Sequence, residues 1–192
     1  GFVHAVSGGA LYRKSSFLEG SLGKPVFSKN VHISERPHLS KGMASSAFDD
    51  DGVATRDREV VENGVVRGYF LGTYSARKLG LQSTGNAGGA HNLIVRPGTR
   101  DLAGLVRHMG RGLLVTELLG HGTNYVTGDY SRGAAGYWVE NGEVGYPVQE
   151  ITIAGNLKDM FRNVVDIGND VLARGSKQVG SILIGRMTVA GD

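Results

Sequence analysis

The sequence has no cysteine, which excludes disulfides and thiolate metal ligands from this chain. That absence fits a reducing compartment. Proline is scarce, at 4 residues, and tryptophan occurs once. No apolar run reaches the roughly 18 residues that a membrane-spanning helix requires, and no secretory signal is visible. The histidines His4, His32, His38, His91, His108 and His121 are scattered, and none forms HExxH or HxxxH. A helical pair of metal ligands is therefore missing. The glycine-rich stretch 83–89 (STGNAGG) lacks the Gly-Lys-Ser/Thr ending of a phosphate-binding P-loop, and it is not GxGxxG opening a helix after a strand. Lys and Arg form no dense cluster with interleaved aromatics. The net charge of +3, from 21 basic and 18 acidic residues, gives no strong nucleic-acid signal.

What is present supports a real core. At 192 residues and 40% hydrophobic content, the chain makes one domain or two small interlocked ones. Its 31 glycines make it turn-rich without being low-complexity. It opens at Gly1-Phe2 in mid-pattern and reads as a fragment of a longer protein.

The run from Leu113 to Asn156 organises the rest. Leu113 to Leu119 reads as an apolar strand. A polar loop follows, carrying His121, Thr123, Asn124, Thr127, Asp129, Ser131 and Arg132. Ala134 to Glu140 and Glu143 to Ile153 read as strands joined at Asn141-Gly142, because Asn-Gly supplies the two positive φ angles of a tight hairpin. Arg58 to Val61 and Val65 to Leu71 flank a second such turn at Asn63-Gly64. The tetrapeptide Val61-Glu62-Asn63-Gly64 recurs as Val139-Glu140-Asn141-Gly142, each followed by a helix. That is either an internal repeat or the chance reuse of a favourable turn.

Further helices are expected over Ala10 to Leu18, Thr73 to Leu79, Asp101 to Met109 and Leu157 to Ile167. The last has Asn156 as N-cap and an apolar stripe of Leu157, Met160, Phe161, Val164 and Val165, which reads as core. Val31 to Ile33, Asn92 to Val95, Ser181 to Gly185 and Met187 to Val189 read as strands. The acidic run Asp49-Asp50-Asp51-Gly52 lacks the alternating ligands of a cation loop and reads as a solvated turn. Strands outnumber helices. The expected class is α+β, with a largely antiparallel, strongly curved or barrel-like sheet and flanking helices.

Catalytic types are few. Ser131 with His121 as base and Asp129 as orienter has the composition of a triad, but no GxSxG elbow surrounds the serine. The alternative for Arg132 is an internal ion pair with Asp129.

Long motifs in one order now point to a family: SGGALYRKSSF, FDDDGVATRDR, YSARKLG, STGNAGG, LLVTELLGHG, VTGDYSRGAAGYWVENG, YPVQEITIAGNLKDMF and IGNDV. Together they resemble the C-terminal half of the TldD/PmbA family, on the PmbA (TldE) branch. The resemblance makes residues 1–192 a C-terminal domain whose N-terminal half is absent. It implies a cytoplasmic protease system acting on unfolded, extended or leader peptides. An older association carries the name modulator of DNA gyrase. In the TldD branch zinc is held by HExxxH on a helix and by a C-terminal cysteine. The aligned place here is Val3 to Gly8: Val3 stands for the first metal histidine, His4 for the general-base glutamate and Gly8 for the second histidine. The resemblance thus implies a subunit without catalytic residues or zinc of its own, paired with a TldD-like HExxxH subunit that carries the zinc. Under that reading His121, Thr127, Asp129, Ser131 and Arg132 line the peptide cleft or the subunit contact. A peptidase working through a non-zinc constellation and a regulatory protein associated with DNA gyrase are the alternatives.

Overall fold

The computed structural model describes residues 1–191, apart from the side chain of Arg174. Two short helices open it, α1 (Phe2–Ala5) and α2 (Gly8–Tyr12). The Ser7 hydroxyl caps α2 by accepting from the Ala10 N–H. The helix expected over Ala10 to Leu18 stops at Tyr12 instead. Lys14 takes a left-handed conformation at φ 55°, and the Ser15 N–H turns back to the Ala10 carbonyl at 2.9 Å. This closes the helix as a C-terminal glycine would, but with a lysine in that place. Phe17 and Leu18 are thereby delivered to the core.

The strands β1 (Ile33–Glu35), β2 (Arg58–Glu62), β3 (Val65–Val66) and β4 (Leu93–Val95) lie in one sheet with β9 (Leu172–Arg174) and β10 (Lys177–Val179). Its order is β3-β2-β1-β4-β10-β9, and only the β4/β10 pair is parallel. A second sheet has the order β12-β7-β6-β5 and is antiparallel throughout. Its strands are β5 (Gly112–Leu119), β6 (Asp129–Glu140), β7 (Glu143–Asn156) and β12 (Thr188–Ala190). A two-stranded sheet pairs β8 (Val164–Ile167) with β11 (Ile182–Ile184). The remaining helices are α3 (Thr73–Leu79), α4 (Leu102–Met109) and α5 (Leu157–Arg162).

The class is α+β with mostly antiparallel sheets. No barrel closes among the described residues: β5 and β12 stay at opposite edges of their sheet, as do β3 and β9 of theirs. The expected helix over Leu157 to Ile167 is divided. Asn156 caps it by accepting from the Lys158 N–H at 3.0 Å, but it ends at Arg162. Val164 to Ile167 become a strand because the β-branched run finds β11, with Ile182 opposite Ile167. Val165 leaves the apolar stripe and is 45% exposed.

Both Asn-Gly turns are hairpin loops with positive φ, at 50° and 76° for Asn63-Gly64 and at 54° and 77° for Asn141-Gly142. They sit in different sheets and join strands of unlike length. Val65–Val66 is all of the first return strand, whereas β7 runs for 14 residues. The Val31 to Ile33 strand is found slightly later, at Ile33–Glu35.

The main core gathers α1, α2, the first sheet and α5. At one end Phe27 and Phe161 stack at 4.4 Å, with Phe2 edge-on to Phe27 at 5.1 Å. A smaller core of Ala134, Ile151 and Ile153 underlies the second sheet. Glu35 is 1% exposed, and its carboxylate is fully used. It accepts from Arg58 Nε at 2.7 Å and from Asn86 Nδ2 and the His91 N–H, each at 2.8 Å. Glycine-rich residues 83–89 are thus pinned to β1 and β2. The acidic run is only partly solvated. Asp50 and Asp51 are exposed, but Asp49 is 5% exposed. Its carboxylate accepts the N–H groups of Asp51, Val53 and Ala87 at 3.0, 2.9 and 2.9 Å. No helix among the described residues is long and apolar enough to cross a membrane.

Candidate functional site

Two stretches meet here: the loop between β5 and β6, and the α1–α2 opening. The loop is shorter than its polar composition suggests. Strand β6 begins at Asp129, opposite Asn156, so Asp129, Ser131 and Arg132 lie on a strand. Residues 120–128 remain as the connection. Asn124 folds them: its side chain accepts from the Val126 N–H at 2.9 Å, and its own N–H reaches the Asp129 carbonyl at 2.8 Å.

Asp129 ties this loop to α5. The Thr127 hydroxyl donates to Oδ2 at 2.6 Å and Asn156 Nδ2 donates to Oδ1 at 3.0 Å. The Thr127 hydrogen bond first, then Asn156 and the nearby Lys158 charge, hold the Asp129 carboxyl below its ordinary value. Both carboxylate oxygens are thus engaged by Thr127 and Asn156, and neither by His121.

Strand alternation separates the other expected site residues. Asp129 and Ser131 share one face of β6, and Tyr130 and Arg132 the other. Ser131 is exposed, and its N–H donates to the Gly122 carbonyl at 2.7 Å. His121 is exposed too. The structure therefore joins Thr127 to Asp129 but assembles no Ser131–His121–Asp129 relay. Arg132 does not pair with Asp129. It is half-buried on the opposite face, with Nε and Nη2 directed at the Leu119 and Leu118 carbonyls, each at 3.4 Å. Strand alternation also explains why this ion pair does not form.

At the opening, His4 is exposed on α1 and its ring lies 4.1 Å from that of Tyr125, in the loop. The Phe17 N–H donates to the Tyr125 carbonyl at 2.8 Å. Neither contact was legible in the sequence, since more than a hundred residues separate the partners. Gly8 donates its N–H to the Phe70 carbonyl at 2.8 Å. A Cβ at Gly8 would overlap the hydroxyl and Cβ of Ser75 on α3. Val3, His4 and Gly8 do not make a zinc donor set: one is aliphatic, one carries no side chain and has no room for one, and one faces a tyrosine ring. Among the described residues no three His, Cys, Asp or Glu side chains converge as metal ligands.

Comparison with known proteins places this geometry. A family profile described as the PmbA/TldA metallopeptidase C-terminal domain matches residues 1–191. The chain is 55% identical over its full length to a Metalloprotease PmbA homolog of Haemophilus influenzae, of which it covers 43%. A crystal structure from Bacteroides thetaiotaomicron, a candidate modulator of DNA gyrase, superposes with a TM-score of 0.94 at 34% identity, over 99% of this chain and 43% of that one. TldE from Thermococcus kodakarensis superposes with a TM-score of 0.86 at 25% identity, over 98% of this chain and 46% of that one. The chain thus spans less than half the length of these relatives. On the profile match and the identity to PmbA proteins together, it belongs to the PmbA/TldD metallopeptidase family and corresponds to its C-terminal domain.

Proposed function

We propose that this chain belongs to the non-cleaving subunit of a two-subunit cytoplasmic peptidase acting on unfolded or leader peptides. The zinc and the cleavage chemistry are supplied by a TldD-like subunit carrying HExxxH. This chain holds no zinc of its own, and its contribution is to shape the peptide cleft. One observation carries the reading. Gly8, which the family resemblance sets against the second metal histidine, is packed so closely on Ser75 that a Cβ there would overlap it.

The second sheet suits a peptide cleft. Strand β5 is its edge, so main-chain groups along Gly112–Leu119 are open on one side. An extended peptide pairs with such an edge through backbone hydrogen bonds, which read shape rather than sequence. Arg132 holds the end of that edge through the Leu118 and Leu119 carbonyls, next to the loop carrying His121 and Thr127 and to Ser131 beside it on β6.

The test mixes the full-length protein with its HExxxH subunit and follows cleavage of an unfolded peptide, with and without chelator. Little activity is expected from either alone and a large gain together, abolished by the chelator. Arg132→Ala lowers the joint activity while this subunit stays folded. Full cleavage by the HExxxH subunit alone, or cleavage by this chain alone, overturns the reading.

A further inference from the structure

The α2–α3 crossing gathers charge that the sequence keeps far apart. Gly8 on α2 lies against Ser75 on α3, and this close approach brings Tyr12 to Tyr74. The two rings meet edge to face, with centroids 5.7 Å apart and planes at 82°. The Arg13 guanidinium lies 5.2 Å from the centre of the Tyr12 ring, and the Lys78 ammonium 5.6 Å from that of Tyr74. Lys14 and Arg77 flank them, and all four cations are exposed. Tyr74 is itself 58% exposed.

None of the four takes part in an ion pair among the described residues, where Arg36, Arg58, Arg67 and Arg100 form the pairs. Residues 7–18 and 72–81 contain no Asp or Glu. Glu19 follows the first stretch, and Asp51 sits at the other end of α3, where it accepts from the Thr73 N–H at 2.8 Å. The patch is therefore a concentration of positive charge outside any ion pair, from the turn that closes α2 and from the last turn of α3.

We propose that this patch binds an acidic, carboxylate-bearing stretch of extended polypeptide. Charge complementarity selects an anion. The tyrosines select between anions. Single-stranded nucleic acid is held by aromatic faces free to stack on bases. Here the rings meet edge to face, the Arg13 guanidinium lies over the Tyr12 ring and donates to its hydroxyl at 3.1 Å, and the Lys78 ammonium lies over the Tyr74 ring, so a cation already occupies a place where a base would stack on each. A guanidinium fork and adjacent ammonium groups match carboxylates along a chain. The proposal deepens the peptide-handling role and rests on it for biological use. It gives the substrate class a preference, since peptides with acidic segments are retained on this subunit.

The experiment measures fluorescence anisotropy of a labelled Glu-Ser repeat peptide with the full-length protein at low salt. A Lys-Ser repeat and an oligothymidylate of equal charge are run alongside. The acidic peptide binds, the basic one does not, and salt of about 0.5 M removes the binding. Arg77→Gln with Lys78→Gln weakens it about tenfold. Arg107→Gln with Arg162→Gln, which removes the same charge elsewhere, leaves it unchanged. Circular dichroism confirms that both variants fold. The proposal is overturned if the acidic peptide does not bind, if the α3 variant binds as well as the parent, if the remote variant weakens equally, or if the oligonucleotide binds as tightly. No partner subunit and no cleavage are involved, so loss of the two-subunit reading and loss of this one give different results.

Discussion

Asn156 donates from Nδ2 to Asp129 Oδ1 at 3.0 Å while its own Oδ1 accepts from the Lys158 N–H at 3.0 Å. One side chain therefore caps α5 and anchors the first residue of β6. Asn156→Ala removes both interactions and should lower stability by about 1 kcal/mol or slightly more, read from urea unfolding. Asp129→Ala should also destabilise. If Asp129 instead oriented His121 for catalysis, its loss would appear in activity with stability unchanged.

Gly64 and Gly142 share a positive φ, at 76° and 77°, but differ in surroundings. A Cβ at Gly64 would overlap the Phe27 carbonyl, and one at Gly142 would lie 3.1 Å from the Arg107 Cα. Gly142→Val should cost more than about 1 kcal/mol through backbone strain. Gly64→Ala should cost more than Gly142→Ala, because a fixed carbonyl blocks it as well. Thermal unfolding of the two alanine variants gives the order, and the reverse ranking would show that the Phe27 carbonyl yields easily.

The contact of Gly8 with Ser75 makes a paired prediction. Gly8→Ala should destabilise by about 1–3 kcal/mol, as overpacking does. Ser75→Gly removes the opposing atoms and itself weakens α3 by roughly 0.5 kcal/mol. In the double variant the two losses should be less than additive. Simple additivity, measured by a double-mutant cycle, would mean that the helices part without strain.

Asp170 supplies a pH dependence. The Ser181 hydroxyl donates to Oδ2 at 2.6 Å and its N–H to Oδ1 at 3.0 Å. The Ser181 hydroxyl is the main cause that holds the carboxyl below its usual value. The folded state then binds this proton less readily than the unfolded state. The stabilisation is complete above the unfolded carboxylate value of about 3.9 and is lost as pH falls through the lower folded value. Urea midpoints of Asp170→Asn should lie below those of the parent at neutral pH, and the gap should begin to close only below about pH 4, as the folded carboxyl is protonated. A gap that stays constant into acid would remove Asp170 from the titration.

What the sequence determined by itself was local. The Asn-Gly turns follow from two residues that tolerate positive φ. Helix α3 ends where Gly80 takes φ 66°, and α4 starts where the Asp101 side chain accepts from the Gly104 N–H at 2.7 Å. The motifs also named the family, because many of them stand in one order. The tertiary structure decided what depends on distant partners. Val164 to Ile167 is a strand because β11 lies beside it, although its apolar spacing continues a helix. Strands β9 and β10 exist through pairing with each other and with β4. The trio Ser131, His121 and Asp129 has suitable chemistry in sequence, yet Thr127 and Asn156 take up the carboxylate. The cationic surface at Tyr12 and Tyr74 came from a helix crossing that leaves space at Gly8 for hydrogen alone. Periodicity and turn chemistry act over a few residues, whereas register, packing and charge clustering are settled by segments that meet only after the chain has folded.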